Sequence, residues 1–166
     1  MFLSGGGMRK IILTLLFVVI GRAWAEGSND GSDPFGVIKF AQPYANQGNV
    51  TAQLTLGSTY YNGKFVPKDY PSAVKWFRLA AEQGDATAQN FLGLMYLNGQ
   101  GVPQDLERAY MWSNLAAASG KETTMLSRDD LAQMRNKLAA QMTAQQVTEA
   151  QKMVQDCLAK RFKGCD

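Results

Sequence analysis

Apolar and small residues recur through the middle of the chain at helical spacing. Ala73, Trp76, Phe77 and Ala80 stand at i, i+3, i+4 and i+7, the spacing of one buried face of an α-helix. The pattern then repeats with a shift of 36 residues, glycines included. The matched pairs include Gly48/Gly84, Ala52/Ala88, Gln53/Gln89, Leu56/Leu92, Gly57/Gly93, Tyr60/Tyr96, Gly63/Gly99, Pro67/Pro103, Ala73/Ala109 and Trp76/Trp112. A period in this range is typical of stacked helix pairs, so the sequence predicts an all-α fold, an α/α solenoid of helix-turn-helix repeats.

Polar residues and glycines mark where the helices of each unit begin and end. The predicted N-caps are Asn49 and Asp85 for the first helices and Asp69 and Asp105 for the second, with Gly63 and Gly99 as left-handed stops after the first helices. Gly57 and Gly93 lie inside the first helices, where glycine costs about 1 kcal/mol relative to alanine. We therefore expect a neighbouring helix to approach closely at both positions.

The chain after the repeats carries two further helix starts. Ser127 is followed three residues later by Asp130, and Thr143 by Gln146, so each pair can form a capping box. These signals predict helices near 128–140 and 144–161. A terminal pair that departs from the repeat pattern is typical of the cap that closes a solenoid.

Ahead of the complete units, Val37, Phe40 and Ala45 stand where the second helix of a unit places its apolar face. This segment is predicted to be a half repeat that packs like a second helix. The predicted sections are 1–25 (signal peptide), 26–34 (disordered leader), 35–47 (half repeat), 48–83 (repeat 1), 84–119 (repeat 2) and 120–166 (C-terminal capping helices with Cys157 and Cys165).

The N-terminal segment has the organisation of a secretory signal. Two basic residues at 9 and 10 precede an apolar run at 11–20, and a small-x-small site ends at Ala25, before Glu26. Met8 is a plausible start, since the residues before it carry no charge. The apolar run is about half the ~20 residues that a membrane span needs. The sequence therefore predicts cleavage, an exported chain (periplasmic or secreted) and no stable membrane anchor afterwards.

Charge becomes informative once that segment is removed. Three of the 17 basic residues, Arg9, Lys10 and Arg22, precede Glu26, and none of the 14 acidic residues does. The remaining chain has 14 charges of each sign, a formal charge of zero. Because nucleic-acid binding relies on neutralising phosphates, a nucleic-acid partner is not expected.

The two cysteines, Cys157 and Cys165, both follow the repeats. On a continuous helix, eight residues would separate them by about 12 Å, beyond disulfide reach. A bridge therefore requires the helix to end and the chain to fold back, for which Lys163 and Gly164 supply a flexible step. An even cysteine count in an exported chain favours the bridge, and two free thiols are the alternative.

Two segments carry a family resemblance: AQLTLGSTYYNGKFVPKDYPSAVKWFRLAAEQG and AQNFLGLMYLNGQGVPQDLERAYMWSNLAAASG. They resemble two copies of the Sel-one-like repeat, a relative of the tetratricopeptide repeat. The resemblance covers residues 48–120, with 37–47 as a half unit and 121–158 as a C-terminal helical pair. It implies a solenoid whose relatives act as adaptors in complex assembly, often in bacterial envelopes and host-facing secretion.

Candidate chemistry is sparse. The chain has no histidine, which excludes a Ser–His–acid triad, a Cys–His pair and a His-ligated zinc. Ser72 and Lys75 fit the S-x-x-K pattern of penicillin-binding enzymes, but the companion S-D-N and K-T-G elements are absent. Asp129 and Asp130 are explained by the dipole of a helix start better than by a metal site. The sequence predicts no catalytic, cofactor-binding or metal-binding residue.

What remains is a surface on the first helices. In related repeats these helices line the concave side, and counting around the helix predicts an uncharged stripe there. Its residues are Thr51, Leu54, Ser58, Tyr61, Thr87, Asn90, Leu94 and Leu97. Either they bind a partner, as charge depletion favours, or they pack against the adjacent helix.

The sequence therefore predicts a non-enzymatic adaptor that binds a protein or peptide partner in a concave groove. One alternative is a weak penicillin-binding or cell-wall hydrolytic enzyme that uses Ser72 and Lys75. Another is a small-molecule or glycan-binding module, in which Tyr61, Tyr96 and the two tryptophans of the repeats stack on the ligand.

Overall fold

Helices alone make up the regular structure of the described chain. The computed structural model describes residues 36–119 and 127–166. In chain order the helices are α1 Val37–Asn46, α2 Val50–Asn62, α3 Tyr70–Ala81, α4 Ala86–Asn98, α5 Leu106–Ala118, α6 Arg128–Ala139 and α7 Ala144–Ala159. The all-α helical-repeat prediction is confirmed. The signal peptide, its Ala25–Glu26 cleavage site, the Met8 start and the leader lie outside the described residues.

The predicted caps form the helix ends. Asn49 and Asp85 accept the main-chain N–H of Ala52 and Ala88 through their side chains, at 2.9 and 2.8 Å. Asp69 and Asp105 cap α3 and α5 in the same manner, and Gly63 and Gly99 end α2 and α4 in the left-handed conformation. Both capping boxes, at Ser127 and at Thr143, are complete. These contacts explain why the helix boundaries could be predicted from the sequence, because each cap residue bonds main-chain groups that the end of a helix leaves unpaired.

Each helix packs mainly on its neighbours in sequence, as a solenoid requires. α1 packs on α2, α2 on α3, α3 on α4, and α4 on α5, while α5 also contacts both α6 and α7. The main core runs from α3 to α7 and is centred on Phe77, Leu92 and Trp112, each fully buried. A smaller cluster joins α1, α2 and Trp76. The C-terminal pair α6–α7 therefore covers the last repeat helix.

Gly57 and Gly93 lie where the two helices of a unit touch. A Cβ atom on Gly57 would stand 2.7 Å from the ring of Phe77, and one on Gly93 would stand 2.6 Å from Ser113 Oγ. Neither distance leaves room for a methyl group. The close approach predicted from the two glycines is confirmed.

The half repeat differs from its prediction at Phe40. Ala41 and Ala45 are buried, but the Phe40 side chain is 72% exposed and Tyr44 is 48% exposed. Trp76, the equivalent of Phe40 one unit later, is covered by α1 and α2. Among the described helices, α1 packs chiefly on α2, whereas α3, which carries Trp76, packs on both α2 and α4.

The last helix ends two residues earlier than predicted, at Ala159, because the chain turns back there. Arg161 and Phe162 have φ angles of 52° and 66°, and the main-chain N–H of Phe162 donates to the carbonyl of Cys157 at 3.0 Å. This turn brings Cys165 to Cys157, with 5.1 Å between their Cα atoms, and the two sulfurs are joined as a disulfide. The free-thiol alternative does not describe this structure.

Candidate functional site

A groove opens beside α2, on the face where the sequence predicts a binding surface. Its volume is about 460 Å³, within the range of roughly 300–1,000 Å³ that ligand pockets occupy. We call it the hydroxyl groove. Its lining residues are Val37, Thr51, Leu54, Thr55, Ser58, Thr59, Asn62, Lys64, Phe65 and Thr87. Four of the eight predicted partner-binding residues are therefore brought together here, namely Thr51, Leu54, Ser58 and Thr87.

Hydroxyl side chains give this groove its chemistry. Thr55 Oγ1 donates to the carbonyl of Thr51 at 2.8 Å, and Thr59 Oγ1 donates to the carbonyl of Thr55 at 2.7 Å. Within the described chain, the hydroxyls of Thr51, Ser58 and Thr87 make no hydrogen bond. A hydroxyl can both donate and accept, so these three groups can bond either polar group of a peptide main chain.

Three of the other predicted residues pack inward. The centres of the Tyr61 and Phe91 rings are 5.2 Å apart, in an edge-on contact. Burial raises the pKa of Tyr61, and the neighbouring Tyr70 raises it to a smaller extent. Leu97 is half-buried against the main core. Asn90 is 1% exposed. For these three the alternative weighed above, packing against neighbouring helices, is what the structure shows.

Asn90 differs most from its prediction because α4 is covered over more of its circumference than α2. Six consecutive residues of α4, 88–93, are buried. Asn90 Oδ1 has no hydrogen-bond partner among the described residues, although it is buried. Leu94, one turn later, is half-buried and does not line the hydroxyl groove. The groove therefore belongs mainly to the first unit.

Part of the hydroxyl groove was missed from the sequence, since it comes from the turn after α2. Lys64 and Phe65 follow the Gly63 stop, and Phe65 has a φ of 75°. The Lys64 ammonium lies 5.1 Å from the centre of the Phe65 ring. Lys64 thus places a positive charge beside a stripe that was predicted to be uncharged. The signal was present in the turn itself, because residues directly after a helix stop lie beside the end of that helix.

The Ser72–Lys75 pair is engaged in two separate contacts. Ser72 Oγ donates to Asp69 Oδ2 at 2.5 Å, while its main-chain N–H donates to Asp69 Oδ1 at 3.0 Å. The Lys75 ammonium lies 5.3 Å from the Trp76 ring. These contacts make Ser72 part of a helix cap, because the Asp69 carboxylate holds its hydroxyl. The arrangement does not present a serine activated by lysine.

The rings proposed to stack on a ligand are occupied within the core. Tyr96 is 5% exposed, Trp76 is 5% exposed and Trp112 is fully buried. Asp130, one of the two carboxylates weighed as a metal pair, is engaged in the Ser127 capping box. In the part of the chain that the structure describes, no group of three or more acidic or cysteine side chains is placed to hold a metal ion.

The fold and the groove together define a class, the helical-repeat proteins built from tandem helix pairs. The family model for the Sel1 repeat matches residues 50–85 and 86–121. The chain therefore carries two Sel1 repeats, as the sequence resemblance predicts, and its fold agrees with that of Sel1-like repeat proteins of the tetratricopeptide-like superfamily. Proteins with Sel1 repeats commonly mediate protein–protein interactions and are typically adaptors rather than enzymes.

Two solved structures illustrate the similarity. One is the crystal structure of a protective antigen present in uropathogenic Escherichia coli strains, with an SLR fold. It is 30% identical over 77% of this chain, with a TM-score of 0.66. This chain spans only about a quarter (26%) of the antigen. The other is a Sel1 repeat protein from Oxalobacter formigenes, 29% identical over 74% of this chain and 99% of that one, with a TM-score of 0.47. The comparison with curated protein sequences gave no match.

Among the described helices, none is long and apolar enough to cross a membrane.

Proposed function

We propose that this chain is an exported, non-enzymatic adaptor that binds an extended segment of a protein partner in the hydroxyl groove. The observation that carries the proposal is the groove itself, which draws side chains from the first helices of two consecutive units. Family members commonly bind proteins, and a repeat array offers a continuous surface for doing so. The setting we propose is a bacterial envelope or a host-facing surface.

The lining of the groove suits a peptide that is uncharged along α2 and acidic at the end of that helix. Leu54 and Val37 supply apolar surface, while the hydroxyls of Thr51, Ser58 and Thr87 can bond a main chain that lies along α2. Small side chains also let a peptide backbone approach the helix. Lys64 adds one positive charge at the end of α2, where it favours an acidic group on the bound segment.

Two features support export. The N-terminal segment has the organisation of a secretory signal ending at Ala25, and the cysteine pair is joined as a disulfide. Disulfides persist in oxidising compartments and are rare in the cytosol. Both features favour a periplasmic or secreted location.

The test is a matched pair of threonine substitutions. Thr55 lines the groove and Thr148 lies on α7, and both are exposed helical residues whose hydroxyl donates to the carbonyl four residues earlier. A tagged protein starting at Glu26 is used to capture partners from its own envelope fraction, and affinity for the captured partner is then measured with purified proteins. We expect Thr55→Arg to weaken binding at least about tenfold, because losing a well-packed contact costs more than ~1.4 kcal/mol.

Thr148→Arg is the control and should bind as the unmodified protein does. Far-ultraviolet circular dichroism of both variants should match that of the parent, which separates loss of binding from loss of folding. Equal binding by Thr55→Arg and the parent would reject the hydroxyl groove as the binding site.

A further inference from the structure

The chain after α7 returns to the repeats and docks on them. We call residues 160–166 the return loop. The Phe162 ring lies against Gly84, 3.3 Å from where a Cβ atom would stand, and it is packed on the main core together with Cys165. The main-chain N–H of Gly164 lies 3.4 Å from Glu82 Oε1. The return loop thus covers the junction between the two complete units.

The return loop delivers one carboxylate into a cluster of donors. The Trp112 indole N–H donates to Asp166 Oδ1 at 2.9 Å, and Arg78 Nε is ion-paired with Asp166 Oδ2. Arg78 also donates to the Tyr96 hydroxyl at 3.3 Å. Burial and the Asp166 carboxylate raise the pKa of Tyr96. We call Arg78, Tyr96 and Trp112 the carboxylate site.

The geometry of this site is that of a receptor rather than of a surface ion pair. The Asp166 side chain is only 16% exposed, and its two oxygens meet two different donors. Burial by itself would lower the pKa of Arg78, but the Asp166 charge and its hydrogen bond outweigh burial and raise it. The two donors come from α3 and α5, and Tyr96 of α4 accepts a hydrogen bond from Arg78, whereas the carboxylate comes from a separate segment, 88 residues beyond Arg78.

The repeat offers an internal comparison, because the equivalent position one unit earlier is open. Subtracting 36 from Gly84 and Trp112 gives Gly48 and Trp76, and these two residues, together with Lys163 of the return loop, line a cavity of about 420 Å³. The first junction thus keeps a groove where the second holds Phe162. The return loop fills the second junction with Phe162 and borders the groove of the first with Lys163.

We propose that the second junction is a binding site for a partner segment that carries an aromatic residue and, beyond it, an acidic residue, and that the return loop is its resident occupant. The disulfide controls access to the site. A dithiol reductant breaks the Cys157–Cys165 bond, leaving two thiols and becoming a disulfide itself. The return loop stays joined to the end of α7, but it is no longer held in the docked position by the disulfide, and it then competes with other segments as a flexible intramolecular one. This site uses none of the side chains that line the hydroxyl groove, so it does not rest on the adaptor proposal.

The probe for the test is a fluorescent peptide with the sequence of residues 161–166, in which Cys165 is replaced by serine. Fluorescence anisotropy measures how tightly the peptide binds three forms of the protein. These are the oxidised protein, the dithiol-reduced protein and the Cys157→Ser/Cys165→Ser variant. We expect both opened forms to bind the peptide, at least about tenfold more tightly than the oxidised form does, because hydrogen bonds to charged groups supply the affinity. A peptide that carries Asp166→Asn should bind neither of the two opened forms.

Arg78→Gln in the cysteine-free background should abolish peptide binding, whereas Arg135→Gln should not, since this arginine of α6 bonds only its neighbour Asn136 among the described residues. A second route keeps the disulfide intact: Phe162→Ala/Asp166→Asn in the full chain removes both the resident ring and the resident carboxylate and should also admit the peptide. Absence of binding to both the opened forms and this double variant would overturn the proposal, as would equal binding with and without Arg78.

Discussion

At the residue scale, the two helices of the second unit meet at Gly93, which contributes no side chain to the contact. Ser113 Oγ, which donates to the carbonyl of Ala109 at 2.7 Å, lies only 2.6 Å from the position where a Cβ atom on residue 93 would be. Protein interiors are packed densely enough that even one methylene is felt. The glycine is therefore required by packing, in spite of its low helix propensity.

Gly93→Ala should destabilise the protein. Overpacking costs about 1–3 kcal/mol, while the gain in helix propensity is about 1 kcal/mol at most. The measurement is the free energy of unfolding in urea. Gly93→Ala/Ser113→Ala should recover part of the loss, because the second change removes the clashing hydroxyl. A single variant more stable than the parent would contradict the packing explanation.

The cap of α3 should make stability depend on pH. Hydrogen bonds from the Ser72 hydroxyl and N–H lower the pKa of Asp69 in the folded protein. The ionised cap therefore contributes fully above the unfolded pKa of about 3.9, and its contribution is lost as pH falls through the lower folded value. Asp69→Asn keeps an acceptor that does not titrate.

Urea unfolding at pH about 6 and about 2.5, on either side of the carboxyl range, measures this effect. The parent should lose more free energy of unfolding between the two pH values than Asp69→Asn does. Other carboxyl groups titrate in both proteins, so the difference between the two losses isolates Asp69. Identical losses would show that the cap is not coupled to protonation.

At the element scale, α1 has the weakest support among the helices of the repeats. It packs chiefly on α2, and its buried side chains are two alanines, Ala41 and Ala45. Pro43 lies inside it and provides no N–H for the helix. Few buried apolar contacts and a missing hydrogen bond are the physical signs of a segment that opens locally.

Amide hydrogen exchange should therefore be faster in α1 than in α4 and α5, whose buried residues belong to the main core. Pro43→Ala restores a donor at an exposed position, so it should slow exchange of the remaining α1 amides and leave those of α5 unchanged. Equal protection of α1 and α5 in the parent would contradict this ordering.

Helix boundaries were predictable because they are set locally. Each N-cap from Asn49 to Thr143 acts on a main-chain N–H within three residues, so its signal is contained in the sequence. The end of α7 was predicted less well, because it depends on a turn at Arg161 and Phe162 in which non-glycine residues adopt positive φ. Such conformations are rare and are imposed here by the returning chain.

At the scale of the whole molecule, the groove was predicted only in part. Periodicity identified Thr51, Leu54, Ser58 and Thr87, because these residues share one face of regular helices. Periodicity could not distinguish these groove-lining residues from Asn90 and Leu97, which pack inward. The part of a helix surface that is buried depends on which other helices lie beside it. The turn residues Lys64 and Phe65 were missed for the same reason. The carboxylate site was beyond sequence reasoning, because it joins residues from three helices to Asp166, which lies 88 positions beyond Arg78 and 54 beyond Trp112.

The pairing of Asp166 with Arg78 also restricts which unit of this array can be duplicated. Position 78 is an arginine, but its equivalent one unit later, position 114, is an asparagine. A further copy of residues 84–119, inserted after Ser119, would leave the return loop facing that asparagine, with Tyr96 and Trp112 reproduced. Duplication of this second unit would therefore break the ion pair between the return loop and the repeats, whereas duplication of residues 48–83 would preserve it.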